Sequence, residues 1–244
     1  MVKQNTTIIY ENTVAGTFVR RMNRFTAEVL IDGAPQIVHV KNTGRLQELL
    51  MPEAKVTLQK TLNPNRKTAY DLISVYKPKL KWVNIDSLAP NALMKQQFMS
   101  LNYDLVKAEY TYGDSRIDFY MEKNGEKFLT EVKGCTLADD LHPGIGLFPD
   151  APTERGIKHL HELTKAAKEG CRTAIAFVIQ MNGIHRVMPN EAAQPEFKEA
   201  LVKAAREGVQ IVCYSCHVEA DSIKITGVVE DTSRFVEAQR RKSE

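Results

Sequence analysis

Alternating apolar and polar positions dominate the first 76 residues. Val14–Arg20 and Phe25–Ile31 are β-rich runs, and Asp32-Gly33 is a hairpin signal leading into Gln36–Val40. Arg45–Leu50 then puts Leu46, Leu49 and Leu50 on one side and predicts a short helix. Lys55–Lys60 and Tyr70–Tyr76 read as two further strands separated by Asn63-Pro64-Asn65. Three strands, a short helix and two strands is the chain order of an OB-fold barrel.

The grammar changes after Lys77-Pro78-Lys79-Leu80-Lys81-Trp82, which reads as a basic linker. Asn91 is a candidate cap for a helix running to about Leu101. Strands are expected at Leu105–Tyr112, Ser115–Met121 and Lys127–Val132. A long loop, Gly134–Asp150, precedes a helix at Thr153–Glu169, a strand at Thr173–Gln180, a helix near Pro195–Glu207 and a strand near Val209–His217. Arg234–Arg241 is expected to close the chain as a helix. Helix, three strands, helix, strand implies an α/β sandwich. The expectation is therefore an α+β two-domain protein, an OB-fold-like barrel with its linker in 1–82 and an α/β domain in 83–244.

Composition adds a charge asymmetry. The 244 residues carry a net charge of +3, but Met1–Trp82 hold 13 Lys and Arg against 6 Asp and Glu, whereas the remainder hold 20 against 24. A basic first third suits a polyanion, although a solubilising excess of cations would look the same. No run of about 18 apolar residues predicts a membrane span. The start, MVKQNTTIIYEN, lacks an apolar signal core, so a cytoplasmic location is expected. Cys213, Cys216 and His217 spell a CxxCH string, but it lies inside an alternating strand pattern and has no second Cys pair, so it is read as chance.

The strongest chemical signal is SRIDFYMEKNGEKFLTEVK, residues 115–133. With Asn124-Gly125 as a two-residue loop, paired positions sum to 249. Lys123 then faces Glu126 and Glu122 faces Lys127. Ile117, Phe119 and Met121 share an apolar face with Phe128, Thr130 and Val132. On the other face Asp118 falls across from Glu131, with Cβ atoms about 4.5–5.5 Å apart, and Lys133 lies two residues on. Two opposed carboxylates repel, and a divalent cation between them reverses the sign. Hard oxygen ligands suit Mg²⁺ or Mn²⁺, with Lys133 stabilising charge or positioning water in phosphodiester hydrolysis. Geometry alone leaves a second reading open, in which Lys133 is simply the counter-ion of both acids.

Asp118 followed by Glu131-Val132-Lys133 after a hairpin resembles the PD-(D/E)xK nuclease motif. Further strings resemble the sugar fermentation stimulation protein A (SfsA) family: VKNTGRL (40–46), SRIDF (115–119), EVKGCTL (131–137) and FPDAPTERG (148–156), continuing as IKHL. They span both segments. The resemblance implies an N-terminal OB-like domain, a C-terminal nuclease-like domain, DNA binding without sequence preference, divalent-metal nuclease activity and a link to sugar metabolism. Many PD-(D/E)xK enzymes carry an acid on the first core helix. Here Asn91–Leu101 offers only Gln96 and Gln97, which leaves Glu109 or Asp150 as candidate third ligands.

Thr153 can cap the helix that follows FPDAP, whose N-terminus favours anions. Arg155, Lys158, His159 and Glu162 share one stripe of it, facing either the hairpin or solvent. Asp139, Asp140, His142, Gly144 and Gly146 sit in the long loop, which reads either as a gate or as ordinary surface. On the barrel, Phe18, Arg20, Arg21, Arg24 and Phe25 are candidates for a single-strand platform, the Phe rings being equally compatible with core. The expected nucleic-acid contacts are Arg20, Arg21, Arg24, Lys41, Arg45, Arg155 and Lys158. Catalysis is expected from Asp118, Glu131 and Lys133, the metal on Asp118 and Glu131, and the substrate is DNA, with RNA as a further candidate. The competing reading is a non-catalytic DNA-binding regulator of sugar metabolism, and a homo-oligomer is compatible with the sequence but not indicated by it.

Overall fold

The computed structural model describes residues 6–237. Its first half contains strands β1 (Thr7–Ile9), β2 (Thr13–Arg21), β3 (Thr26–Ile31), β4 (Ala34–Val40), β5 (Lys55–Lys60), β6 (Tyr70–Lys77) and β7 (Lys81–Asn84), then helix α1 (Ala89–Met99). Next come β8 (Leu105–Tyr112), β9 (Ser115–Lys123), β10 (Glu126–Cys135), β11 (Leu137–Ala138), β12 (Ile145–Phe148) and α2 (Glu154–Lys168). The rest is β13 (Arg172–Ile179), β14 (Arg186–Pro189), α3 (Pro195–Arg206), β15 (Gln210–Glu219), β16 (Ser222–Glu230) and α4 (Thr232–Glu237).

Strands β2 to β6 form a closed barrel. Antiparallel pairings join β4, β3, β2, β5 and β6, and a parallel contact from His39 to Asp71 and Val40 to Leu72 closes the ring. Period-two alternation sends Ala27, Val29 and Ile31 of β3, and Val38 and Val40 of β4, inward against Val56, Leu58, Leu72 and Val75. This is the expected OB barrel. The expected helix at 45–50 is absent. Leu46 adopts φ +50°, and Leu49 and Leu50 N–H groups return to its carbonyl as a single turn.

The second sheet has seven strands in the order β1-β16-β15-β13-β10-β9-β8. Along β13, Ala176 and Val178 join a core with Leu93, Met94 and Phe98 of α1. Ile175 and Phe177 join the other core, with Leu160 and Leu163 of α2 and Phe197 and Leu201 of α3. Alternate side chains thus bury against helices on opposite faces, the expected α/β sandwich. Two short strands, β11 and β12, lie in what the sequence reads as a long loop, and they form a small sheet with β14 in the order β11-β12-β14.

Three boundaries differ from expectation. Strand β1 pairs with β16, so residues 7–9 belong to the second sheet rather than to the barrel. The basic linker is a hairpin: β7 folds back on β6, with Lys77 opposite Lys81 and Leu80 buried. Strands β14 and β16 have no counterpart in the sequence reading. Residues 238–241 of the expected last helix lie outside the described residues. Cys213 and Cys216 are both buried but belong to the two different cores, separated by a bulge in β15. Burial pushes their thiols up, to about 11 and about 12, so the CxxC string is structural.

Candidate active site

The β9–β10 hairpin has the register set by Asn124-Gly125. Lys123 pairs with Glu126, Glu122 with Lys127, Met121 with Phe128, Tyr120 with Leu129 and Phe119 with Thr130. There the ladder stops. The backbone partner of Val132 N–H is replaced by the Asp118 carboxylate, whose Oδ2 accepts from it at 2.8 Å. On the other side of β9 the β8 ladder also skips Asp118, opposite Glu109, a residue at φ +58°. This break explains why Ile117 joins the α2-side core while Phe119 and Met121 join the α1 side. The expected common face for all three is corrected accordingly.

Asp118 Oδ1 accepts from Asn91 Nδ2 at 2.8 Å. Asn91 is therefore not the cap of α1, which begins at Ala89 with Leu88 as cap and a Pro in its first turn. Burial, then the charge of Glu131, raises the Asp118 carboxyl above its usual range against the pull of these hydrogen bonds and Lys133.

Glu131 is 2% exposed. Its Oε1 accepts from Lys133 Nζ at 2.5 Å and from His159 Nδ1, while Oε2 is buried with no hydrogen-bond partner. Burial pushes its carboxyl up most strongly, yet His159 and Lys133 together bring it below the ordinary value. His159, itself buried, arrives on α2. That helix starts where expected: Thr153 Oγ1 accepts from Gly156 N at 3.0 Å. Arg155, one turn before His159, directs Nε to its Nε2 at 3.4 Å and is exposed at the rim. These directions fit an imidazole that donates from Nδ1 and accepts at Nε2.

Asp118, Glu131 and Lys133 are thus brought together, with Asn91, His159 and Arg155 around them. His159 was visible in the sequence only as one member of a helical stripe. The acid-for-Gln question on α1 also has an answer. Gln96 and Gln97 bind Thr7 N and Thr6 Oγ1, so they hold the first strand and not the site. Glu109 pairs with Arg116 at 2.7 Å on the exposed edge strand. Asp150 lies across the domain seam, lining a cavity of about 130 Å³ with Asn42, Ser87, Thr136 and Gln180. Among the described residues no group of three or more His, Cys, Asp and Glu side chains forms a metal cage.

The basic candidates divide sharply. Arg21 spends its guanidinium on carbonyls of Asn23, Arg24, Asn42, Gly44 and Arg45, at 2.6–3.2 Å, and so is a structural staple. Lys41 is half-buried between Asp86 at 3.1 Å and Asp71 at 3.7 Å, an ion bridge between barrel and second domain. Lys158 caps the carbonyl of Asp114 at 2.9 Å. Arg20 is exposed but paired with Glu28 at 2.7 Å. Arg24 and Arg45 are exposed without an acidic partner among the described residues. In the long loop, Asp139 and His142 pair with each other at 2.7 Å.

Two family models match. Residues 19–85 match the SfsA N-terminal OB domain, and residues 85–222 match the sugar fermentation stimulation protein RE domain. The chain belongs to the sugar fermentation stimulation protein family. A "Sugar fermentation stimulation protein homolog" of Ruminiclostridium cellulolyticum is 46% identical over 225 residues, covering 91% of this chain and 98% of that one. One from Desulfitobacterium hafniense (strain Y51) is 46% identical over 220 residues, covering 88% and 94%. A solved structure of Pyrococcus furiosus SfsA in complex with Ca²⁺ superposes with a TM-score of 0.80 at 25% identity, covering 91% of this chain and 96% of that one. No helix of the described residues is long and apolar enough to cross a membrane.

Proposed function

We propose that this family member hydrolyses phosphodiester bonds of nucleic acid with a divalent cation held by Asp118 and Glu131. The observation that carries the reading is the lone Glu131 Oε2, buried with no donor, beside a second carboxylate that burial, and then the charge of Glu131, keeps from ionising easily. A buried acceptor without a partner is costly, and two carboxylates in one place are more so. A Mg²⁺ or Mn²⁺ ion fits this donor set, because such ions bind through one or two carboxylates and complete their shell with water and phosphate oxygens. When bound, the cation supplies Lewis-acid polarisation of a phosphoryl oxygen and a more acidic water. A related protein is described as a Ca²⁺ complex, which supports a hard-cation site in this fold.

The remaining chemistry falls to the chain's own groups. Lys133 and His159 share Glu131 Oε1 and so hold that carboxylate in one orientation, with Oε2 left for the metal. Lys133 also brings a positive charge to the site where negative charge develops on a phosphorane-like transition state. Arg155, exposed on the turn before His159, is placed to meet the substrate backbone.

The test is incubation of the purified chain with single- and double-stranded DNA and RNA in Mg²⁺, Mn²⁺ or EDTA, beside Asp118→Asn. Cleavage that needs the metal and disappears in Asp118→Asn is expected. Cleavage that persists in EDTA or in that variant refutes the mechanism. Binding without cleavage under any metal moves the protein to the regulator class.

A further inference from the structure

The barrel presents one aromatic ring to solvent in a way its fold does not need. Phe18, on β2, is 2% exposed and belongs to the barrel core, whereas Phe25, at the tip of the β2–β3 hairpin, is 51% exposed and Met22 beside it 50%. The Arg24 guanidinium lies 5.5 Å from the Phe25 ring centroid. The ring and the guanidinium beside it together form a flat apolar and cationic surface that no other side chain of the barrel covers fully.

The tip is built to be stiff. Asn23 Oδ1 accepts from Phe25 N at 2.8 Å and from Thr26 N at 3.0 Å, and Phe25 O accepts from Val40 N at 2.8 Å. Arg21 then ties the tip to the 42–45 loop through carbonyls on both. This staple binds the backbone carbonyls of Arg24 and Arg45 to one guanidinium, and both residues are exposed without an acid, while the neighbouring Arg20 is paired with Glu28. The same 42–45 loop presses on Asp150, and Asn42 lines the cavity whose far wall is Gly134, Cys135 and Thr136, directly after Lys133.

We infer that this tip is a stacking platform for an unpaired nucleobase of single-stranded nucleic acid, with Arg24 and Arg45 holding the adjacent phosphates and Arg21 acting as the positioning residue. The inference rests on the proposed nucleic-acid reading and narrows its substrate class. A lone aromatic ring with a guanidinium over it offers too little apolar area for a protein partner, but it matches the π-face of a base and the charge of its backbone. Duplex bases keep their faces stacked on one another and must be unstacked at a cost before a ring can reach them, whereas an unpaired base meets the ring without that cost.

The experiment measures binding of the full chain, in EDTA, to a fluorescein-labelled 15-nucleotide single strand and to the duplex of the same sequence, by anisotropy. Phe25→Ala should weaken single-strand binding about tenfold or more and duplex binding less than about twofold, and Phe25→Trp should retain wild-type affinity. Arg24→Ala and Arg45→Ala should each flatten the salt dependence of single-strand binding by about 0.7 in log–log slope. Unchanged single-strand affinity in Phe25→Ala overturns the platform. So does an equal loss on duplex, or a folded Phe25→Trp as weak as Phe25→Ala. If Phe25-dependent binding is found but wild-type chain never cuts, hydrolysis falls and the platform stands. Metal-dependent cutting with no role for Phe25 gives the reverse.

Discussion

Gly134 follows Lys133 on β10, and there a methyl group has nowhere to go. A Cβ built on it would overlap Gln180 Oε1 and lie 2.9 Å from Pro90 Cγ. Gln180 is 1% exposed, and its Nε2 donates to Asn84 Oδ1 at 2.8 Å and to the Asp86 carbonyl at 3.0 Å, across the seam between barrel and second domain. Gly134→Ala must push that amide aside. Two buried hydrogen bonds at about 1 kcal/mol each are then lost, and the displaced amide goes unpaired at about 1–3 kcal/mol. Asn84 Oδ1 and Asp86 O keep other donors, Asp86 N and Ala89 N, which holds the cost toward the low end. The stiffer unfolded chain of the Ala variant returns about 0.4–1 kcal/mol. The net expectation is a loss of about 2–3 kcal/mol, or roughly 5–10 °C in Tm for a chain of this size. Urea unfolding at unchanged slope measures it. The decisive comparison is the double-mutant cycle: with Gln180→Ala already present, Gly134→Ala should cost at least about 1 kcal/mol less than in wild type, because the amide has gone and only the Pro90 contact is left. An equal cost in both backgrounds refutes the collision as the cause.

Two further outcomes follow from the same geometry. His159→Ala should weaken Mn²⁺ affinity about tenfold to a hundredfold, the usual effect of removing a group that orients a ligand; His159→Asn, whose Nδ2 stands where Nδ1 stood, should recover most of it in calorimetric titration, and equal affinity in wild type and Ala removes His159 from that role. Burial pushes the Asp71 carboxyl up, but Arg66, His39 and Lys41 together hold it below its ordinary 3.8, so its stabilisation is complete above the unfolded value and is lost as pH falls through the folded one. The Tm of wild type should therefore drop below pH 4 more steeply than that of Asp71→Asn, and parallel curves contradict the assignment.

The hairpin register was legible because a two-residue Asn-Gly turn leaves no freedom in pairing, and the barrel because five β-rich runs are separated by turn signals and one short helical patch. What escaped has identifiable causes. Strand β16, SIKITGVVE, alternates only as far as Thr226 before Gly227 and the adjacent Val228-Val229 interrupt it, and β14 is only four residues long. The turn at 45–50 has helical spacing, but Leu46 takes a left-handed conformation that spacing does not reveal. The fates of Arg21 and Lys41 depend on carbonyls and carboxylates 21 to 45 positions away, so their cationic character looked like surface while their partners made them structure. Glu131 was read as an acid facing an acid. That its first oxygen is already taken by His159 needed α2 docked on the sheet.

Asp118 is where structure and chemistry meet most closely. Both neighbouring ladders pass it by, so Val132 N–H would be an orphan donor inside the sheet without the Asp118 carboxylate. An acid whose oxygens are needed by the fold can be kept beside Glu131 even when no cation is bound, since its two hydrogen bonds offset part of the repulsion. This is also why Asn, and not Ala, is the informative replacement. In Asp118→Asn the new amide oxygen can accept from Val132 N–H, and the Asn91 amide can turn to accept from the new NH₂ group, so the sheet keeps both contacts while the charge is gone. An Ala there removes the proposed metal ligand and the ladder partner together, and loss of cleavage in Asp118→Ala would leave the two roles mixed. Only the isosteric variant separates a carboxylate required for hydrolysis from one required for the strand.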